Sequence, residues 1–362
     1  LNLTGGYTRH HHLFDASVWF NTVALQKDSI PKANDYDYYS YRINYNTNLD
    51  KIALNTRINA NSQFLAGLHT NKFSIIKSDS KGNNKLEVDF LSLYRTNVNY
   101  LINSDWDVQK MNNRIDVNLE HKYNYSYGKG TINLMLQSSA LGSAYDYNKL
   151  ILSAKNNNQL EKLKINTRAY LQFGTGSNWA EESKLSLAGA NNEEMMNSKF
   201  TRAEGIVSAE FMEYGYTTNY FHQAGGLNLR GYTGYLAPEF NENGTISFDY
   251  NGTSGAAFNT EINFTAFLPY SIRKNNISSY LFADAGIITS ERLTKENYKE
   301  LFSEIRTDAG IGFTYTLRNF GSFETVRPLV IRFDMPLFLN RPPASDEDFL
   351  QMRWLIGINK AL

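Results

Sequence analysis

In EKLKINTRAYLQF, residues 161–173, Leu163, Ile165, Thr167, Ala169, Leu171 and Phe173 fall on one face, and Lys164, Asn166, Arg168, Tyr170 and Gln172 fall on the other. A period of two is the pattern of a β-strand with one apolar face. It recurs along most of the chain. In NNRIDVNLEHKYNY, Ile115, Val117, Leu119, His121, Tyr123 and Tyr125 oppose Arg114, Asp116, Asn118, Glu120, Lys122 and Asn124. In RPLVIRFDMPLFL, Leu329, Ile331, Phe333, Met335, Leu337 and Leu339 oppose Val330, Arg332, Asp334 and Pro336.

A soluble sandwich also alternates, so length and the content of the polar face decide between the two. The segments exceed the ~5 to 6 residues of a typical soluble strand and match the ~9 to 11 that a tilted strand needs to cross a bilayer. Their polar faces mix both charges, as at Arg114, Asp116, Glu120 and Lys122, which suits a wet interior. Many apolar faces end in tyrosines, such as Tyr123 and Tyr125 or Tyr41 and Tyr45, where interfacial aromatic girdles would sit. Only a closed cylinder satisfies every backbone amide of a sheet in lipid.

Composition narrows the function classes. The chain has 36 basic and 36 acidic side chains, which argues against a nucleic-acid partner, and it has no cysteine for a disulfide or thiolate site. No apolar run reaches the ~18 residues of a membrane helix. The absence of an initiator Met or signal segment reads as a mature or partial chain. No Ser/His/Asp set, phosphate loop or carboxylate pair stands out, so the chain is expected to be neither an enzyme nor a cofactor binder. His10, His11 and His12 are consecutive, and neighbouring strand residues point to opposite faces, so no metal site is expected there.

The strand count comes to roughly sixteen, an even number as in single-chain outer-membrane barrels. Eleven candidates lie within residues 1–174, including one at 98–110, and five lie within 256–362. Between them, residues 175–255 form a gap far longer than an ordinary connection, within which ANNEEMMNSKF suits a short helix. SDSKGNN (78–84) and residues 290–304 read as outward loops, and NANSQ (59–63) and KNNNQ (155–159) as tight inner turns.

Inside the gap, GGLNLRGYTGYLAPE (225–239) sets one arginine among glycines and aromatics. GGLNLRGYTGY resembles the Arg-Gly-aromatic motif of the long sixth extracellular loop in the outer-membrane protein-assembly and two-partner-secretion superfamily, the surface-antigen type of barrel. YLFADAGII, AGIGFTYTL and PLVIRFDMPLF resemble three strands that come after it. The resemblance is best over residues 221–362. It implies an all-β, 16-stranded antiparallel transmembrane β-barrel with that loop folded into the lumen, in the bacterial outer membrane. It also implies that Arg230 meets Asp284 on the inner wall.

By alternation Tyr280, Phe282, Asp284 and Gly286 share a face, and Glu261 shares one with Asn259, Asn263 and Thr265. Glu261 is thus a second candidate partner of Arg230. A guanidinium fork suits a carboxylate in a partly dehydrated lumen better than an ammonium does. Gly225, Gly226, Gly231 and Gly234 would permit the tight hairpin, and Tyr232 and Tyr235 would pack beneath the pair. The bland alternative is an exposed glycine-rich loop with a solvated arginine. The seam between first and last strands carries Gly5 and Gly6, and Trp354 and Gly357.

The resemblance implies insertion or translocation of proteins at the outer membrane. The implied partners are membrane lipid, unfolded outer-membrane or secreted substrates, and periplasmic or lipoprotein accessory subunits. Two other roles stay open. LSLAGANNEEMMNSKFTRAEG followed by the glycine-rich stretch resembles Bacteroidetes barrels fused to zinc metallo-aminopeptidase domains, which implies an anchor for an upstream domain. The third role is a porin-like channel, against which a loop filling the lumen would count.

Overall fold

Long alternating segments become long strands. The structure, a computed structural model, describes residues 3–9, 12–22, 37–49, 54–65, 68–79, 81–96, 107–197, 220–234, 238–240, 246–248, 250–270, 276–289, 303, 305–317, 329–341, 349–359 and 361–362. In chain order its elements are β1 (Leu3–Arg9), β2 (His12–Thr22), β3 (Asp37–Leu49), β4 (Leu54–Leu65), β5 (Leu68–Asp79), β6 (Asn84–Arg95), β7 (Met111–Tyr125), β8 (Gly128–Ser139), β9 (Asp146–Leu160) and β10 (Leu163–Asn178). Within the long connection come β11 (Leu185–Ser186), the short helix α1 (Asn192–Asn197), β12 (Pro238–Phe240), β13 (Ile246–Phe248) and β14 (Asn251–Gly252). The chain then continues with β15 (Gly255–Asn263), β16 (Ile277–Ile288), β17 (Arg306–Leu317), β18 (Leu329–Leu339), β19 (Phe349–Leu350) and β20 (Leu355–Ile358).

Strand order follows the sequence from β1 to β10 and then passes to β15, and among the described residues the strands of the long connection, β11 to β14, pair only with each other. Pairing in that sheet is antiparallel, for instance β15 on β16 with Asn259 opposite Asp284. β19 and β20 both pair with β18 and are two pieces of one last strand.

Contacts divide the chain into two compact units. The first holds residues 1–123, 132–151 and 174–181. There the sheet face alternates as the sequence demands. Phe73, Ile75, Phe90, Ile115 and Leu119 are exposed, while Ser74, Asp89, Arg114 and Asp116 are buried on the opposite face. Burial of charge requires pairing, and Lys72 meets Asp89 at 2.8 Å while Arg114 meets Asp116 at 3.0 Å. A local aromatic core stacks Trp179 on Tyr147 with centroids 4.8 Å apart.

The second unit holds residues 124–131, 152–173 and 182–362. Phe258, Ile262, Leu281, Phe313, Ile331 and Phe333 are exposed on its sheet, and Asn259, Glu261, Asp284, Asp308, Arg332 and Asp334 are buried on the other face. An exposed apolar face backed by a buried charged one inverts the layering of a water-soluble sheet. It fits a sheet with lipid outside and a polar interior.

Several expectations are corrected. β6 pairs directly with β7, Tyr94 lying opposite Met111, which leaves no place between them for a separate strand at 98–110. Of that stretch, residues 107–110 form no strand and the rest lies outside the described residues. NANSQ runs inside β4 and KNNNQ inside β9 rather than turning. Asparagine favours turns only where no neighbour claims its backbone, and here the ladder does, as with Asn59 opposite Ser74. In SDSKGNN, of which residue 80 lies outside the described residues, the Asp79 carboxylate accepts from the Asn83 and Asn84 backbone N–H groups at 2.8 and 3.1 Å, a short connection that leaves the outward reading as an expectation. Residues 290–302 lie outside the described residues.

A register shift interrupts the β17 to β18 ladder. Ala309 pairs with Phe338 but Gly310 pairs with Pro336, so β18 carries one extra residue at Leu337. A bulge re-aims the side chains beyond it. Leu339 therefore turns to the charged face and is fully buried, contrary to its expected place beside Leu337 on the apolar side.

Candidate functional site: a latched loop

The site lies within the second unit. Leu187 N–H bonds to Tyr250 O at 2.9 Å, and Leu227 and Leu229 donate to Ser186 O and Leu187 O, both at 3.0 Å. Leu185, Leu187, Leu227, Leu229 and Ile288 are almost fully buried and give the loop an apolar root. Gly226 at φ +45° and Asn228 at φ +62° turn the chain between those leucines, in the left-handed region that glycine and asparagine best tolerate.

The turn delivers Arg230 at the start of a 3-10 segment, Arg230–Tyr232. Its Nε donates to Asp284 Oδ2 at 2.9 Å, its Nη2 to Asp284 Oδ1 at 3.2 Å, and its Nη1 to Glu261 Oε1 at 2.7 Å. The guanidinium lies 4.1 Å from the Phe282 ring centroid. Both Arg230 and Asp284 side chains have 0% exposure, so the fork is fully withdrawn from solvent. Burial alone would lower the arginine pKa, but Asp284, Glu261 and Asp334 together drive it well above the ordinary value and keep the charge in place. The fork makes the bidentate contact that a lysine could not.

Neighbouring strands hold the same loop. Asn259 Nδ2 donates to Leu227 O and Asn228 O, each at 3.2 Å, and to Asp284 Oδ1 at 3.1 Å. Arg168 donates to Asn259 Oδ1 at 2.9 Å and to Gly226 O at 2.6 Å. From between the two pieces of the last strand, Arg353 reaches the carbonyls of Gly231 and Thr233, the latter at 2.5 Å. Tyr232 is buried, sits edge-on to Tyr250 with centroids 5.8 Å apart, and donates its hydroxyl to Asn340 O at 2.5 Å.

Gly231 has no room for a side chain. A Cβ there would stand 2.6 Å from Asp308 Cβ and 2.8 Å from Leu339 Cδ1, the side chain that the bulge turned inward.

Most sequence-predicted positions converge. Arg230, Glu261, Phe282 and Asp284 share one cluster, with Gly231 beside it against Asp308, whereas the contacts of Tyr232 are with Tyr250, Asn340 and Thr307 and not with the ion pair it was expected to pack beneath. Gly286 packs against Leu229 rather than Arg230: a Cβ there would lie 2.9 Å from Leu229 Cδ1. Thr265 leaves the wall, because β15 ends at Asn263 and Thr265 opens a 3-10 turn, where its hydroxyl accepts from Ser279 N at 2.8 Å. Tyr235, His10 and His11 lie outside the described residues. Gly5 and Gly6 pair with Ala16 and Asp15 in the β1 to β2 ladder. Trp354 immediately precedes β20 and Gly357 lies within it, on either side of Ile356, whose carbonyl accepts from the loop residue His222. Arg168, Arg353 and Asn340 were not anticipated as loop anchors. Alternation places Arg168 and Arg353 on the charged face, but their acceptors include backbone carbonyls, which leave no mark in sequence.

Solved outer-membrane barrels resemble this chain in fold. The crystal structure of BamA from Haemophilus ducreyi lacking POTRA domains 1-3 is 14% identical with a TM-score of 0.52, covering 96% of this chain and 64% of that one. The chain shares the fold of this outer-membrane barrel. It thus spans less than two thirds of the BamA chain. Two further outer-membrane structures match more loosely. OccK2 (OpdF) from Pseudomonas aeruginosa is 10% identical with a TM-score of 0.43, covering 98% of this chain and 79% of that one. CdiB from Acinetobacter baumannii is 11% identical with a TM-score of 0.32, covering 97% and 59%. No protein-family profile matches the sequence, and neither does any curated protein.

Proposed function

We propose that the chain forms a closed outer-membrane β-barrel of the assembly and secretion type, inserting or translocating proteins at the outer membrane. Closure follows from the exposed apolar face, since an open sheet edge has no partner for its amides in hydrocarbon. The observation that carries the reading is Arg230, held by Asp284 and Glu261 from two adjacent strands and withdrawn from solvent. The shared fold with BamA supports the same assignment. Such a latch keeps a long loop inside the cylinder, where it obstructs simple diffusion and leaves the sheet itself as the working surface. Outer-membrane lipid and unfolded client proteins are the partners of such a surface.

The test is reconstitution. The purified chain in lipid vesicles is offered a urea-denatured outer-membrane barrel protein, and folding of that client is followed by its gel mobility. Faster folding than in empty vesicles is expected. Equal rates, together with free passage of small solutes through the wild-type vesicles, would contradict the reading and point to a porin-like channel.

A further inference from the structure

On the exposed face of the first unit, β5, β6 and β7 end in two rows of side chains. Register sets Lys77 beside Leu86 and Leu86 beside Leu119. One step nearer the strand ends, alternation puts Asp79, Asn84 and His121 on the same face, with Asn84 opposite His121. The row behind them, Ile75, Val88 and Val117, is wholly apolar. An apolar wall that gives way to polar and aromatic rows marks the level where hydrocarbon meets headgroups.

At that level the side chains leave a groove of about 450 Å³, lined by Leu86, Leu119, Ile132 and Leu134 together with Lys77 and His121. A chain of hydrogen bonds orders its polar side. The Asp79 carboxylate takes the backbone N–H groups of Asn83 and Asn84 and, at 2.8 Å, the Asn84 side-chain amide. With Nδ2 so used, Asn84 turns Oδ1 to His121 Nδ1 at 2.6 Å, which makes Nδ1 the protonated nitrogen and, in the neutral ring, leaves Nε2 an acceptor. Tyr123 stacks on that ring with centroids 6.1 Å apart.

The other charges at the groove are already answered. Asp79 has its amides, Glu120 meets Lys122 at 2.9 Å, and Lys85 meets Glu87 at 2.6 Å. Among the described residues Lys77 forms no ion pair. A lysine stem can lie along leucines with its head at the polar boundary, and there it offers an anion an open donor.

We infer that this groove is a site for one glycerophospholipid with an anionic, hydroxyl-bearing headgroup, of which phosphatidylglycerol is the simplest. Its phosphate sits on Lys77, a headgroup hydroxyl donates to His121 Nε2, and an acyl chain lies along Leu86, Leu119, Ile132 and Leu134. One open cation matches the single net charge of that headgroup, and no open carboxylate awaits the ammonium of a zwitterionic one. The inference rests on the reading of the sheet as a barrel wall in lipid.

The leaflet follows from the strand ends. Met111 O, at the start of β7, accepts from Ala144 N, and Ala144 O accepts from Asn178 Nδ2, at the end of β10 where the long connection begins. Toward the other end of β7, Lys122 N donates to Asn83 O at 2.7 Å. The groove therefore faces the leaflet away from the start of the long connection. With the long loop outward, as the resemblance implies, this is the inner leaflet, and the connection after Asp79 turns inward, against its reading as an outward loop.

The purified full chain in detergent is titrated with phosphatidylglycerol or with phosphatidylcholine, whose headgroup carries its own cation and has no donor, and bound lipid is counted by native mass spectrometry. The parent should take up one phosphatidylglycerol at about a tenfold lower concentration than phosphatidylcholine. Lys77→Gln should weaken that uptake about tenfold, as the loss of a bond to a charged group does. Lys81→Gln, which removes the same charge from a position off the groove, should leave it unchanged. Leu119→Trp, which fills the groove and keeps the charges, should weaken it as well. Lys77 and Leu119 are both exposed, so neither change opens a core.

Equal uptake of the two lipids by the parent overturns the inference, as does parent-like uptake by Lys77→Gln. Displacement of the lipid by excess glycerol 1-phosphate would reduce the groove to a site for a free phosphate and overturns it too. Client folding in vesicles reads the proposed role separately. A chain that binds the lipid without speeding folding keeps the site and loses the role, and one that speeds folding without preferring this lipid keeps the role and loses the site.

Discussion

Arg230 and Asp284 face each other across a doubly hydrogen-bonded contact of 2.9 and 3.2 Å, one on a loop and the other on a strand. Fifty-four residues separate them in sequence, and neither side chain touches solvent. A contact so placed is a fastening, since breaking it would leave a charge buried on the wall. The fastening and the sheet that carries it both respond to substitution in measurable ways.

Arg230→Lys keeps the charge but loses the fork. The ammonium can meet Asp284 or Glu261 with fewer aligned donors, so the cost should be ~1.5 to 3 kcal/mol, typical of a lost hydrogen bond to a charged group. Arg230→Ala should cost more, and the loop should become cleavable by protease in both variants, faster in the second. Digestion time courses of the folded barrel check the order.

Gly231→Ala should destabilise by ~1 to 3 kcal/mol, as overpacking does in a filled site. The new methyl meets Leu339 Cδ1 and Asp308 Cβ. Adding Leu339→Ala should restore part of the loss, because it removes one of the two collisions. Urea titration of the single and double variants reads the difference.

Acid should loosen the loop where His222 holds it. Burial first, then the positive charges of Arg332 and Arg230, push the His222 imidazole well below its ordinary 6.5. The unfolded chain therefore takes up a proton that the folded one does not, so this contribution is intact above about pH 6.5 and is lost as pH falls below it. Fluorescence of Trp354, stacked on Tyr220, should change over that acid range in the parent and stay flat in His222→Gln.

Leu281→Arg places a charge on the exposed face of β16, where the leucine is 50% exposed. On a water-facing surface such a change is nearly neutral, within ~0.5 kcal/mol. Facing lipid near the bilayer middle it should cost ~2 to 4 kcal/mol. Urea unfolding from phospholipid vesicles distinguishes the two.

Much of this is legible in the residues themselves. Alternation places Asp284, Phe282 and Glu261 on one face and the exposed leucines and phenylalanines on the other, because side-chain direction in a strand is set by parity alone. Arg230 stands out because a lone cation among glycines has few structural reasons to exist. What parity cannot show is a change of parity, and the extra residue at Leu337 moves Leu339 to the charged face. Backbone acceptors are equally silent, so Arg168 and Arg353 can be put on the right face without their partners. Asparagine runs in β4 and β9 mislead for a related reason: their turn preference yields wherever two neighbouring strands supply the hydrogen bonds.

The most direct test of the latch is a double-mutant cycle on Arg230→Ala and Asp284→Ala, measured by urea unfolding from vesicles. A buried pair acting as one unit predicts that each single change costs ~3 to 5 kcal/mol. The double variant should then cost well below the sum, with a coupling near the upper end of the ~0.5 to 3 kcal/mol seen between touching residues. Losses that simply add, within about 0.5 kcal/mol, would mean that the two side chains do not hold each other, and the latched loop would have to be abandoned.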